Sequence, residues 1–141
     1  MRSVGIVLLG LLVASIGAGS AGAKTWLTVA DADGRFRLEM PVPFDLPPSQ
    51  VAADGTVTFS YVHETPELAL RFEVIDDLVD HGEVAPALTT LFSRARDGER
   101  IVQMRSHVVG RRTYRLVAIF PPELEGDAMI LRFMESIRLP P

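Results

Sequence analysis

Apolar and polar residues alternate with a period of two through much of this chain, and the alternating runs are separated by turn signals. After Asp33-Gly34, the run Arg35 to Met40 sets Phe36, Leu38 and Met40 against Arg35, Arg37 and Glu39. That is the pattern of a half-buried strand. Pro41, Pro43, Pro47 and Pro48 follow and predict an irregular connection, because proline fixes φ and donates no hydrogen bond. Beyond Asp54-Gly55, Thr56 to His63 predicts a second strand with Val57, Phe59 and Tyr61 on one face. Leu68 to Ile75 predicts a third, with Leu68, Leu70, Phe72 and Val74 inward. The short turn Thr65-Pro66-Glu67 between them makes the pair an antiparallel hairpin.

The period then changes. Val84, Leu88, Leu91, Phe92 and Ala95 recur at helical spacing, Pro86 falls in the first turn, and Gly98 follows Asp97 as a C-terminal stop. A helix is expected there. Arg100 to Val109 and Thr113 to Phe120 predict a second hairpin around Gly110. Pairing Val109 with Thr113 gathers Val102, Met104 and Val108 with Tyr114, Leu116, Ala118 and Phe120 on one face. A two-residue loop at Gly110-Arg111 would instead pair Val109 with Arg112 and set Arg105 opposite Leu116. A one-residue slip exchanges the faces, so the apolar pattern favours the first register. Pro121-Pro122 ends the strand, and Asp127 is placed to cap a short helix striped by Met129, Ile130, Phe133, Met134 and Ile137. The order β-β-β-α-β-β-α predicts an α+β domain, a mainly antiparallel sheet covered by helices.

Three segments also carry a likeness. Phe36-Arg37-Leu38-Glu39-Met40-Pro41 after an Asp-Gly turn, the late strand Arg112-Thr113-Tyr114-Arg115-Leu116, and the closing Arg132-Phe133-Met134-Glu135-Ser136-Ile137 resemble small exported bacterial proteins of the PsbP-like class. The resemblance implies a sheet sandwiched by helices, as in a photosystem II extrinsic subunit and a Ran-binding regulator. It further implies a non-enzymatic, protein-binding role. None of these motifs is catalytic, and no metal-cluster motif carries over.

The first 23 residues read as an address. Arg2 precedes the apolar run Val4 to Ile16, and small residues lead to Ala21-Gly22-Ala23, the parts of a secretory signal peptide cut after Ala23. The run is short beside the roughly 20 residues that a bilayer-spanning helix needs. Export to the periplasm or the exterior is therefore expected, with residues 24–141 forming one domain and no stable membrane insertion after cleavage. Without Arg2 the balance is 13 basic residues against 18 acidic, which argues against a general nucleic-acid binder. The chain has no cysteine, so disulfides, thiolate metal sites and a cysteine nucleophile are excluded.

Candidate chemistry is sparse. Asp76, Asp77, Asp80 and His81 form an acidic loop that could take a divalent ion. Its spacing matches no EF-hand, and a solvated loop leading into the next helix explains the same residues. His63, His81 and His107 form no paired motif, and Ser60, Ser93, Ser106 and Ser136 lack a nucleophile-elbow setting. Arg94 to Arg115 holds seven arginines and only two acids. Arg105, Arg111, Arg112 and Arg115, if brought to one face around the Gly110 turn, would suit carboxylate or phosphate groups of an anionic partner. Pairing of these arginines with the chain's acids is the plainer alternative. The expected function is a non-enzymatic binding or assembly factor of the bacterial cell envelope that acts without a cofactor. The alternative is a small-ligand or divalent-metal binder using the Asp76 to His81 loop.

Overall fold

The computed structural model describes residues 25–77 and 88–140. The leader, Asp80, His81, Val84 and Pro86 lie outside the described residues. Among the described residues eight strands form: β1 (Trp26–Ala30), β2 (Arg37–Pro41), β3 (Gln50–Val51), β4 (Thr56–Glu64), β5 (Ala69–Asp77), β6 (Leu88–Asp97), β7 (Arg100–Val109) and β8 (Arg112–Phe120). A 3-10 turn (Pro122–Leu124) and helix α1 (Ala128–Glu135) follow. Strands β3-β4-β5-β8-β7-β6 make one six-stranded antiparallel sheet, and β1-β2 make a separate hairpin.

This corrects the expected α+β sandwich. The described part is predominantly β, with a single α-helix rather than a helical cover. The expected helix around Leu88 is strand β6, paired with β7 from Leu88↔Val109 to Asp97↔Arg100. Leu88, Leu91, Phe92 and Ala95 are spaced for a helix, but the stretch also holds the β-branched pair Thr89-Thr90 and ends in Asp97-Gly98. Gly98-Glu99 is a two-residue loop with glycine first, a common hairpin connection. Gly98 adopts φ 63° there, so it turns a hairpin where the spacing suggested a helix stop.

The core lies on one face of the large sheet. Tyr61 of β4, Leu70, Phe72 and Val74 of β5, and Tyr114, Leu116, Ala118 and Phe120 of β8 are buried on that side. Phe36, Leu38 and Met40 of the β1-β2 hairpin close over them, together with Ile130, Phe133 and Met134 of α1. Phe36 lies 5.1 Å from Phe72 and 5.5 Å from Tyr114 between ring centroids. Each such aromatic pair adds about 0.5–1.5 kcal/mol beyond the area it buries. Trp26 begins β1 and is buried, with the Arg132 guanidinium 4.4 Å from its ring. The α1 cap forms where the sequence places it: Asp127 Oδ1 accepts from the Met129 amide at 2.9 Å.

The β7-β8 register is the one the apolar pattern disfavoured. Val109 pairs with Arg112 and Arg105 with Leu116. Gly110, at φ 59°, begins a two-residue loop with Arg111, and the turn geometry decides the pairing. The cover-side face of β7 therefore carries Gln103, Arg105 and His107 opposite Ala118, Leu116 and Tyr114. Polar residues stand on the inner face of this strand because the cover thins toward β6.

Candidate functional site: an exposed sheet edge

β6 is the outermost strand of the large sheet, and every one of its ten residues is exposed. Leu88, Leu91 and Phe92 are 61%, 58% and 59% accessible, values that are informative because these side chains have no burial to offset their hydration. The ladder also fixes which backbone groups point outward. Gly98-Glu99 is a two-residue loop, so Asp97 and Arg100 form the closing hydrogen-bonded pair. Bonded and non-bonded pairs alternate along an antiparallel ladder. Thr89, Leu91, Ser93, Ala95 and Asp97 therefore bond to β7, and Leu88, Thr90, Phe92, Arg94 and Arg96 direct their N–H and C=O groups away from the sheet.

The two edges of the sheet are treated differently. Beyond β4, the proline-bearing segment after β2 blocks pairing, since Asp45 and Val62 exchange backbone bonds of 2.8 and 2.9 Å and β3 adds two residues. Prolines and very short strands are ordinary devices for blunting an edge. β6 contains no proline, keeps an unbroken register with β7, and carries charge only from Arg94 onward. Among the described residues no strand pairs with its outer side.

Side chains brace this hairpin against the body of the protein. Arg94 pairs with Glu125 beside the 3-10 turn, and Arg105 Nη1 donates to the Met134 carbonyl of α1 at 3.1 Å. His107 Nδ1 lies 3.1 Å from the Thr90 hydroxyl, which ties β7 to β6 on the cover side. Burial, and after it the positive charge of Arg105, lower the His107 pKa below its ordinary 6.5. The neutral ring can then accept from the Thr90 hydroxyl. Two open cavities of about 440 and 570 Å³ adjoin the tip, the first lined by Arg94, Arg96, Pro122 and Glu125 and the second by Arg96, Arg100 and Glu123 among others.

The arginines singled out from sequence are divided by the fold. Arg105 and Arg112 lie on the cover side, opposite Leu116 and Val109. Arg115 lies on the other face, between Ser106 and Glu73. Arg111 occupies the turn, where its carbonyl accepts from the Asp77 amide at 3.1 Å. Arg112 donates to Asp76 Oδ2 at 2.6 Å and reaches the Tyr114 hydroxyl at 3.5 Å. Burial works against its charge, but Tyr114 and Asp76 outweigh it and raise the Arg112 pKa. Of the acidic loop, Asp76 and Asp77 end β5, and Asp76 is taken by Arg112. His63 is buried, and its Nδ1 stands 2.7 Å from the Pro43 carbonyl, so that nitrogen carries the proton.

The exposed edge escaped the helical reading because Leu88, Leu91 and Phe92 fit a stripe that would be buried on a helix. Gly98-Glu99, a glycine-first pair of the kind that turns a two-residue hairpin, was the signal that could have found it. Comparison with known proteins returns no matching family model, no similar curated protein and no similar solved structure. The PsbP-like resemblance thus rests on the sequence motifs alone.

Proposed function

We propose that the protein is a non-enzymatic binding or assembly factor of the bacterial cell envelope that works by accepting an added strand along β6. The observation that carries this reading is the ten-residue edge, accessible along its whole length and unprotected where the opposite edge is blocked. In strand addition, main-chain bonds supply affinity and alternate side chains supply specificity. Leu91 and Phe92 point to opposite faces and would grip both sides of an incoming strand. The envelope setting comes from the signal-peptide-like leader.

The test is photo-cross-linking from β6 in a cell-envelope extract, with the cross-linked residues mapped by mass spectrometry. Phe92→Pro serves as control, because it removes an outward N–H and no bond of the β6-β7 ladder. Cross-links that map to residues 88–97 and vanish in Phe92→Pro, with melting temperature retained, are the expected result. Cross-links that survive the substitution, or that map elsewhere, overturn the reading.

A further inference from the structure

We propose that the strand added to β6 is β6 of a second copy, paired antiparallel about a two-fold axis at Phe92. This inference rests on the strand-addition reading and names its partner. Three observations on the strand itself select a second copy.

The first is the spacing of the outward groups. Leu88, Thr90, Phe92, Arg94 and Arg96 face away from β7, so the outward set is symmetric about Phe92. A two-fold axis there sets Phe92 opposite Phe92 of the second copy, Thr90 opposite Arg94, and Leu88 opposite Arg96. Each facing pair exchanges both of its backbone bonds, and every outward donor and acceptor on the strand is satisfied. Because residues of the same face pair together, the two covered faces stay on the same side and the sheets become continuous.

The second is the placement of charge. Arg94 and Arg96 occupy the C-terminal half of β6, and its N-terminal half from Leu88 to Phe92 is uncharged. Antiparallel pairing about Phe92 lays the charged half of each copy against the neutral half of the other. An axis at Arg94 would set like charges directly opposite, which is destabilising. The charge pattern therefore favours the same register as the outward groups.

The third is the position of the exposed apolar residues. Leu91 and Phe92 stand at the middle of the ten-residue strand. The two-fold axis brings the Phe92 rings together on the covered side. On the other side it brings Leu91 diagonal to Leu91 of the second copy, within reach of long side chains. Both bulky groups thus come to the centre of the seam, where interface energy concentrates. Assembly also stops at two. Among the described residues the opposite edge of the large sheet is blunted by Asp45 and β3, so no head-to-tail filament can grow from it.

The experiment uses the full chain as recovered from cells, and the absence of cysteine makes introduced thiols specific. Sedimentation equilibrium over a dilution series is expected to show a doubled mass that falls to that of one chain on dilution, and Phe92→Pro to remain a single chain throughout. A short bis-thiol reagent should link Phe92→Cys to itself. Leu88→Cys and Arg96→Cys should each fail to self-link but link efficiently when mixed, since pairing about Phe92 makes those positions neighbours only across the seam. A single-chain mass at every concentration overturns the proposal, and so does efficient self-linking of Arg96→Cys, which requires a different axis. Either failure leaves the envelope cross-linking outcome to decide strand addition by itself.

Discussion

Arg112 and Asp76 lie against one another with side chains only 13% and 17% exposed, so charge at this point belongs to the fold. Removing one member of a buried pair leaves the other charged and unpaired, which costs more than the pair itself contributes. Arg112→Ala is expected to lower stability by about 2–3 kcal/mol, read as a lower urea midpoint with unchanged slope. His107 supplies a second residue-scale prediction. Its folded pKa lies below the ordinary 6.5, so the unfolded chain binds that proton more readily than the folded protein. The stability it contributes is complete above about pH 6.5 and is lost as the pH falls toward the folded value. Melting temperature measured from pH 7.5 down to 5 should fall less steeply in His107→Gln than in the parent; equal slopes would remove His107 from the account. Asp31 is held below its ordinary 3.8. Burial pushes its carboxyl up, but the hydrogen bonds and charge of Arg35 outweigh that penalty.

At the scale of elements, the β6-β7 hairpin depends on one backbone position. Gly98 sits at φ 63° with open space where a Cβ would project, so Gly98→Ala incurs the left-handed conformational cost without a clash. That cost is about 1 kcal/mol, and the expected readout is faster amide exchange in β6 and β7 than in β4 and β5. The same hairpin shows why some elements were legible in the sequence and others were not. Val57, Phe59 and Tyr61, and Leu70, Phe72 and Val74, line one face of their strands as their alternation predicts, because that face is buried. β6 buries neither face, so a reading built on burial had nothing to detect and took Leu88, Leu91 and Phe92 for a helical stripe. The β7-β8 register went astray for a related reason. Gln103, Arg105 and His107 lie on the inner face of β7 and Val102, Met104 and Val108 on the outer one, so matching apolar residues points to the wrong slip. The Gly110 turn overrules it. Neither the division of the four arginines between faces nor the open edge can be inferred before these two pairings are known.

For the whole molecule, stability should fall from the covered centre of the sheet toward β6. β8 is flanked by β5 and β7 and holds five buried residues, whereas β6 holds none. Native-state hydrogen exchange should therefore find β8 opening only with global unfolding, and the outward amides of β6 exchanging at nearly unprotected rates in a single chain. Phe72 is fully buried and touches Phe36, Tyr61 and Tyr114, so Phe72→Ala is expected to cost about 3–5 kcal/mol. Together these two measurements separate the part that holds the fold from the part left available for contact.

The union of β5 with β8 also has a meaning in time. The chain makes β4 and β5 early and β6 to β8 late, and among the described residues the ladder joining the two groups runs between Ala69–Asp76 and Arg112–Ile119. A growing polypeptide that has not yet emerged as far as Phe120 leaves β5 without its inner neighbour, and α1, part of the lid over the core, comes later still. Most of its length must be delivered before it can condense. Folding therefore trails synthesis, and the large sheet closes only when β8 reaches β5.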